Sequence, residues 1–237
     1  MKNQYVGDIN DYRKYGLLRV ILEATDLRLL VGWMLTSNDD SSDGKRTDYL
    51  EDPQKWADYD PPLFYGLKVL LSSAPARSVG LIERSGLLPA AAYHSDVIPS
   101  KARERIAWFD ALRAAADQRD LVFLDPDIGI EVKSKAFGRK DSTQYLYWHE
   151  IEALWENGRS LLIYQHFPRE ARASFIERMM DALRDHAPGG FVEAFSTAHV
   201  VFLMALQPSH QRHHADIVDL TEARWGSEVR HWDRVAS

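Results

Sequence analysis

Apolar positions along this chain recur in two periods, one helical and one strand-like, and the two kinds of segment alternate. The helical period is clear over 11–24, where Asp8 or Asn10 precedes the helix as a candidate cap. Segment 78–82 fits a short strand as well as the start of a helix. The predicted helices are 11–24, 62–72, 78–88, 101–117, 147–155 and 169–186.

Short runs of apolar and β-branched residues lie between these helices and predict strands. Segments 191–195 and 199–206 are three residues apart, a spacing that predicts an antiparallel hairpin. The remaining strands alternate with helices, which is typical of a parallel sheet. The pattern therefore predicts an α/β fold, with a doubly wound, mostly parallel, Rossmann-like sheet and a C-terminal antiparallel hairpin. The predicted strands are 27–35, 91–98, 121–124, 160–164, 191–195 and 199–206.

The chain, 1–237, is predicted to form a single α/β domain, because no repeat, low-complexity segment or linker-like run interrupts it. In this scheme residues 1–26 are an N-terminal helical extension and roughly 45–100 are a helical insertion. The sequence does not predict the oligomeric state.

Composition excludes several classes of protein. The chain has no cysteine, so disulfide frameworks, thiol nucleophiles and cysteine zinc sites are ruled out. Its net charge of −6 argues against a sequence-blind coat for nucleic acid, although a local basic patch is compatible with it. No stretch approaches the roughly 18 apolar residues of a membrane span, and the first residues lack an apolar signal core. We therefore expect a cytoplasmic protein with no membrane partner.

Two carboxylates around a proline follow the most apolar predicted strand, 121–124, as Asp125, Pro126 and Asp127. In an open α/β sheet, ligands bind beyond the carboxyl ends of the strands, so this is the first candidate for a catalytic site. Aspartate and proline also favour turns, so the same residues could simply end the strand.

Two further polar groups are candidates for the same site. Lys14 lies one helical turn from Asp11, where it could reach the site or form a solvated ion pair. Gln165 and His166 directly follow the strand 160–164, and an ordinary histidine titrates near neutral pH. His166 is therefore a candidate general base, or alternatively a histidine at the entry of the next helix.

Several segments, in the same order along the chain, resemble the large-subunit rRNA adenine-N6 methyltransferases, which have the class I methyltransferase fold. Asp125-Pro126-Asp127-Ile128-Gly129 resembles their catalytic Asp-Pro-Pro-Tyr-Glu, but Asp127 and Ile128 stand in place of its proline and tyrosine. The loop 36–44 has one glycine, at its end, where that fold usually has a glycine-rich turn. The remaining similar segments are 6–15, 46–51 and the tyrosine-bearing strand 161–165.

The resemblance implies an S-adenosylmethionine-dependent methyltransferase that acts on the amino group of a nucleic-acid base. It implies that Asp125 accepts from that amino group, that Pro126 shapes the turn, and that Lys14 holds substrate or cofactor. RNA or DNA is the partner it implies, bound through a local basic patch. The residues it implies for the cofactor site are Gly7, Asp8, Asp11, Trp33 and Thr36.

Three alternatives stay open. Asp125, Asp127 and Glu131 could bind Mg²⁺ or Mn²⁺ in a nuclease or phosphohydrolase, with Lys133 beside the attacking water. The chain could be a non-catalytic relative of the fold that binds a nucleotide or a partner. It could also belong to a separate bacterial family with Asp-Pro-Asp at this place. The basic residues that could neutralise phosphates are Lys45, Arg46, Lys133, Lys135, Arg139 and Lys140.

Overall fold

Strands and helices alternate along most of the chain in the computed structural model, which describes residues 1–39, 44 and 46–233. The strands are β1 Leu29–Gly32, β2 Ala92–His94, β3 Leu121–Leu124, β4 Gly129–Ile130, β5 Tyr145–Leu146, β6 Ser160–His166, β7 Phe191–Ser196, β8 Val200–Leu206 and β9 Arg230–Trp232. The helices are α1 Ile9–Ala24, α2 Pro53–Trp56, α3 Pro61–Ser73, α4 Val79–Ser85, α5 Ala102–Ala116, α6 Trp148–Glu156, α7 Arg172–His186 and α8 His214–Trp225.

The main sheet has seven strands in the order β2-β1-β3-β6-β8-β7-β9. The first four are mutually parallel, whereas β8 is antiparallel to both of its neighbours and β9 is antiparallel to β7. Strands β4 and β5 form a separate parallel pair beyond the end of β3. The predicted α/β class, with a mostly parallel mixed sheet between helices, is confirmed.

Alternate residues of each strand face opposite sides of the sheet, and each side has its own buried cluster. Val31 and Phe123 belong to the cluster under α1, α3, α4 and α8. Leu30 and Val122 belong to the cluster under α5, α6 and α7. The strands are buried on both faces, which explains their continuous apolar runs.

Helix α1 begins at a side-chain cap. The carboxylate of Asp8 accepts hydrogen bonds from the backbone nitrogens of Asn10 and Asp11, so the cap is Asp8 rather than Asn10. Helix α8 then packs closely on α1 at Gly16, where an added Cβ would lie 2.1 Å from the indole ring of Trp225. The missing side chain at Gly16 is what lets the two helices approach.

The structure corrects some predicted boundaries. The first strand is shorter than 27–35, because the chain leaves the ladder at Gly32 and Met34 takes a left-handed conformation with φ 49°. Segment 78–82 belongs to helix α4 and not to a strand. Within the predicted helical insertion, Ala92–His94 forms β2 and pairs with β1 in the main sheet.

A buried ion pair fixes the segment between β4 and α6. The fully buried guanidinium of Arg105 donates to both carboxylate oxygens of Glu150, at 2.8 and 2.9 Å. It also donates to the backbone oxygens of Ser142 and Tyr145. These bonds satisfy the buried charges and set the position of Gln144, which lines the main cavity.

Over the described ranges, no helix is both long enough and apolar enough to cross a bilayer.

Candidate functional site

A cavity of about 750 Å³ opens at the carboxyl ends of β3 and β6. The N-terminal segment forms one wall, and the loop after β3 and the end of β6 form the opposite wall. Its position agrees with the rule that ligands bind beyond the carboxyl ends of strands in open α/β sheets. The lining residues are Met1, Lys2, Tyr5, Asp8, Asn10, Asp11, Lys14, Asp39, Gly44, Arg46, Asp125, Pro126, Asp127, Ile128, Gln144, Tyr164 and His166.

Lys14 joins two buried carboxylates in the wall of this cavity. Its Nζ donates to Asp125 Oδ2 and to Asp11 Oδ1, both at 2.7 Å. The other oxygen of Asp11 accepts from the backbone nitrogen of Gly7 at 3.0 Å and from the hydroxyl of Tyr15 at 2.7 Å. One ammonium group therefore holds two acidic side chains that would otherwise repel each other.

The charges of this group follow from burial and from mutual attraction. Burial alone would lower the pKa of Lys14, but the carboxylates of Asp11 and Asp125 outweigh it and raise that pKa. Burial raises the pKa of Asp125, and the Lys14 charge opposes the shift. Lys14 is therefore a permanent cation at neutral pH.

Asp127 has a different set of partners. The amino group of Met1 lies 2.7 Å from Asp127 Oδ1, and the hydroxyl of Thr36 donates to Asp127 Oδ2 at 2.5 Å. Lys2 Nζ lies 3.7 Å from the same carboxylate. The two aspartates around Pro126 are thus compensated separately, one by helix α1 and one by the N-terminal segment.

Asp8 is a cavity carboxylate whose pKa lies near neutral pH. Burial, and then the neighbouring charge of Asp11, raise its pKa to about 6. Its described partners are the backbone nitrogens of Asn10 and Asp11, at 2.8 and 2.9 Å. A carboxylate with such a pKa in a cavity wall can accept or donate a proton under physiological conditions.

The end of β6 supplies an aromatic and an imidazole side chain. The ring centroid of Tyr164 lies 4.9 Å from Lys14 Nζ, within the range of a cation–π contact. Tyr164 Oη lies 3.4 Å from His166 Nε2. His166 therefore lines the cavity and contacts Tyr164, which in turn contacts Lys14.

Gln165 lies between those two residues and holds the loop after β3. Its side-chain oxygen accepts from the backbone nitrogen of Ile130 at 2.7 Å, and its amide nitrogen donates to the backbone oxygen of His166. Gly129 has φ 142°, and an added Cβ there would lie 2.1 Å from Gln165 Oε1. Glycine is needed at 129 for both conformation and space.

Lys14, Asp125, Pro126, Asp127 and His166, the residues proposed from the sequence as catalytic, all line this cavity. Of the residues implied for a cofactor site, Asp8 and Asp11 also line this cavity.

The others implied for a cofactor are placed differently. The indole nitrogen of Trp33 donates to Glu83, and the ring is wholly buried in the core beneath the sheet. Gly7 donates to Asp11, and Thr36 donates to Asp127, so both support the site through its carboxylates.

The predicted metal ligands do not come together. Glu131 accepts from the backbone nitrogen of Trp148 at 2.8 Å, at the start of α6, instead of joining Asp125 and Asp127. In the part of the chain that the structure describes, no group of three or more histidines and carboxylates is placed to hold a metal ion.

The predicted basic residues are also spread apart. Lys135 pairs with Asp141 at 2.8 Å, away from the cavity lining. Lys45 lies outside the described residues. Arg46 lines the cavity, and its Nη1 lies 3.2 Å from His199 Nε2.

The crevice between β1 and β3 is where a cofactor such as S-adenosylmethionine would be expected in this type of sheet. Met1 fills it: its amino group donates to the backbone oxygens of Met34 and Asp125, at 3.3 and 2.9 Å. The backbone nitrogen of Thr36 donates to the Met1 oxygen at 2.9 Å. After Gly32 the described chain continues without a glycine turn, so these residues do not fit the cofactor in its usual crevice.

Sequence reasoning did not assign Lys2, Tyr5, Asn10 and Gln144 to the site. The first three precede or begin a helix, where polar residues are expected for local reasons. Gln144 reaches the cavity because Arg105 fixes its neighbours and because its own backbone oxygen accepts from the backbone nitrogen of Ile128 at 3.0 Å. No local signal marks any of the four.

No family model matches this chain, and the search of curated proteins likewise found no match. What the protein does must therefore be inferred from the chemistry of the site.

Proposed function

We propose that the protein is an enzyme that acts on a ring-bound amino group, such as that of a nucleic-acid base, in the cavity beside β3 and β6. One observation carries the proposal. Lys14 engages Asp11 and Asp125, and the N-terminal segment engages Asp127, whereas Asp8 accepts only from backbone amides among its described partners. The carboxylate of Asp8 can therefore accept a hydrogen bond from a ligand, and an amino group is the complementary donor.

The remaining lining residues suit a flat ring with polar edges. Tyr5 and Tyr164 provide aromatic surface, and Ile128 provides an aliphatic one. The amides of Asn10 and Gln144 offer both donors and acceptors for the edges of the ring. Lys14 keeps Asp125 in place beneath the ligand.

Recognition of the amino group and transfer of a proton from it to Asp8 are the chemistry that we assign to the site, and methyl transfer is what the resemblance to the methyltransferases adds to it. Two features of the fold support that resemblance: Asp125 directly follows β3, and the last strands of the main sheet are antiparallel. A nitrogen that gains a methyl group must lose a proton, and ionised Asp8 can accept that proton. S-adenosylmethionine is the donor that the resemblance implies. No step is assigned to it, because Met1 occupies the crevice beside β1.

The first test is a calorimetric titration with adenosine 5′-monophosphate and with inosine 5′-monophosphate, which carries a carbonyl in place of the amino group. We expect the adenosine compound to bind at least tenfold more tightly. In Asp8→Asn this preference should disappear, and the helix cap should survive because asparagine caps as well as aspartate. Asp110→Asn, an exposed carboxylate on α5, is the matched control.

Equal affinity of the wild type for the two compounds, or no heat with either, would overturn the proposal. Titration with S-adenosylhomocysteine tests the reaction separately. Heat on titration supports methyl transfer, whereas no heat removes methyl transfer and leaves recognition of the amino group standing.

A further inference from the structure

Basic side chains gather where the cavity opens towards β6 and β8. His166, at the end of β6, pairs in register with Val200, at the start of β8. His199 therefore stands beside the mouth of the cavity. Arg46 lines the cavity and donates from Nη1 to His199 Nε2 at 3.2 Å, which links the cavity wall to this strand end.

Arg172 completes this group from the first residue of α7, the helix that follows β6. Arg172 lines a smaller cavity together with Thr197 and Ala198, which directly precede His199. Burial, followed by the charges of Arg46, Arg13 and Arg172, lowers the pKa of His199. Arg13 is compensated by Glu228, at 2.9 Å. We call Arg46, Arg172 and His199 the cationic rim.

Among the residues that the structure describes, no carboxylate forms an ion pair with Arg46 or Arg172. The described side-chain contact of Arg46 is with neutral His199, and that of Arg172 is with the ring of Phe167, 5.3 Å from its centroid. Neither is a carboxylate. Two guanidinium groups that have no described carboxylate partner, one in the wall of the main cavity and one in the wall of a smaller cavity, provide a local site for an anion in a chain of net charge −6.

A smaller cavity, of about 330 Å³, lies beside the rim, and we call it the groove. Arg172 lines it together with Arg230, and Thr197 and Ala198, which directly precede His199, also belong to its wall. Its hydroxyl groups come from Ser196, Thr197 and Ser227. The rim thus stands between a cavity lined by carboxylates and a groove lined by two arginines, three hydroxyl groups and Glu228, whose carboxylate is paired with Arg13.

We propose that the cationic rim binds phosphate, so that the substrate is a nucleotide or a nucleic-acid strand whose base enters the main cavity. Guanidinium groups pair with phosphate oxygens through two parallel hydrogen bonds, which fixes orientation as well as charge. Asp8 would then bind the amino end of the ligand, and Arg46 and Arg172 its phosphate end. This inference rests on the proposed function for the identity of the base.

The test compares adenosine, adenosine 5′-monophosphate and inorganic pyrophosphate as calorimetric ligands of the wild type and of Arg46→Met/Arg172→Met. We expect the monophosphate to bind wild type at least tenfold more tightly than adenosine, and the double variant to bind the two equally. Pyrophosphate should bind wild type only. Arg178→Met, an exposed arginine of α7 paired with Glu170, is the matched control and should behave as wild type.

The failures of the two proposals are distinguishable. If adenosine and its monophosphate bind wild type equally, the rim inference is overturned and recognition of the base stands. If pyrophosphate binds in an Arg46- and Arg172-dependent manner but adenosine does not bind, the rim stands and the proposed function fails. If none of the three binds, both are overturned.

A short single-stranded oligonucleotide identifies the source of the phosphate. If the oligonucleotide binds at least tenfold more tightly than the monophosphate, and less tightly to Arg230→Met, the groove binds a nucleic-acid strand. If the oligonucleotide and the monophosphate bind with equal affinity, the rim binds a free nucleotide. Both results support phosphate recognition.

Discussion

The ammonium nitrogen of Lys14 lies 2.7 Å from the carboxylate of Asp125, a contact that joins the first helix to the end of the central strand across 111 positions of sequence. Lys14 also holds Asp11 at the same distance. Both carboxylates are almost completely buried, so neither is compensated by water. The position of the N-terminal helix over the cavity therefore depends on one side chain.

Replacing Lys14 by methionine should be strongly destabilising, because it leaves two buried carboxylates facing each other. We expect Lys14→Met to lower the free energy of unfolding by about 3–5 kcal/mol, measured by urea denaturation. Lys101→Met, which removes an exposed ion pair with Glu104, should change it by less than about 1 kcal/mol. A loss from Lys14→Met no larger than that of the control would show that Lys14 does not hold the site together.

The Arg105–Glu150 pair should contribute as much as Lys14 to the free energy of unfolding, because it holds the cavity wall that contains Gln144. Arg105→Met leaves Glu150 buried and uncompensated and frees the backbone oxygens of Ser142 and Tyr145. Its expected cost is again about 3–5 kcal/mol in urea denaturation. Arg28→Met removes an exposed pair with Asp120 and serves as control, with an expected cost below about 1 kcal/mol. Equal effects of the two variants would contradict the assignment of Arg105 as a buried anchor.

Gly129 and Gly158 offer a matched pair of glycine substitutions. Alanine at Gly158, where φ is 79° and no atom lies within 4 Å of an added Cβ, should cost only the strain of a left-handed residue, about 1–2 kcal/mol. Alanine at Gly129 combines φ 142° with a collision against Gln165, and should cost more than about 3 kcal/mol. Thermal unfolding of both variants checks this order, and a smaller loss at Gly129 than at Gly158 would refute it.

Stability should depend on pH through His231. Burial alone would lower the pKa of His231, but its hydrogen bond to Glu193, at 2.7 Å, outweighs burial and raises that pKa; Asp233 and Glu222 add to the effect, and His214 contacts the same carboxylate at 2.9 Å. Because the folded pKa lies above the unfolded one, this contribution is complete below the ordinary pKa of about 6.5 and is lost as pH rises through the folded value.

The measurement is the difference in free energy of unfolding between wild type and His231→Gln. It should be larger at pH 5.5 than at pH 9, and Glu193→Gln should abolish the change. A difference that stays constant with pH, or grows with it, would show that His231 is not charged by its contact with Glu193.

The strand β3 and the acidic residues after it were predictable because their signals are local. An apolar run that ends in Asp125 and Asp127 already indicates a buried strand with a polar carboxyl end. Helix α1 was equally clear, since its apolar period and its Asp8 cap lie within a few residues of each other.

The rest depends on contacts between distant segments. Helix α8 was not predicted, because its packing is set by Gly16 and Trp225, which are far apart in sequence. The entry of Lys2 and Tyr5 into the cavity follows from how the N-terminal segment lies against β1 and β3, which no periodicity encodes. The partners of Asp127 and the position of Glu131 could not be predicted either, because they also depend on contacts between distant segments.

The most direct test of the account is the pH dependence of adenosine binding to wild type and to Asp8→Asn. An amino group binds an ionised carboxylate more tightly than a protonated one, so the association constant for wild type should rise between pH 5 and pH 7, with a midpoint near the pKa of about 6 for Asp8. In Asp8→Asn the affinity should be lower and independent of pH over that range. A flat profile for wild type, or the same rise in the variant, would contradict the claim that Asp8 receives the ligand.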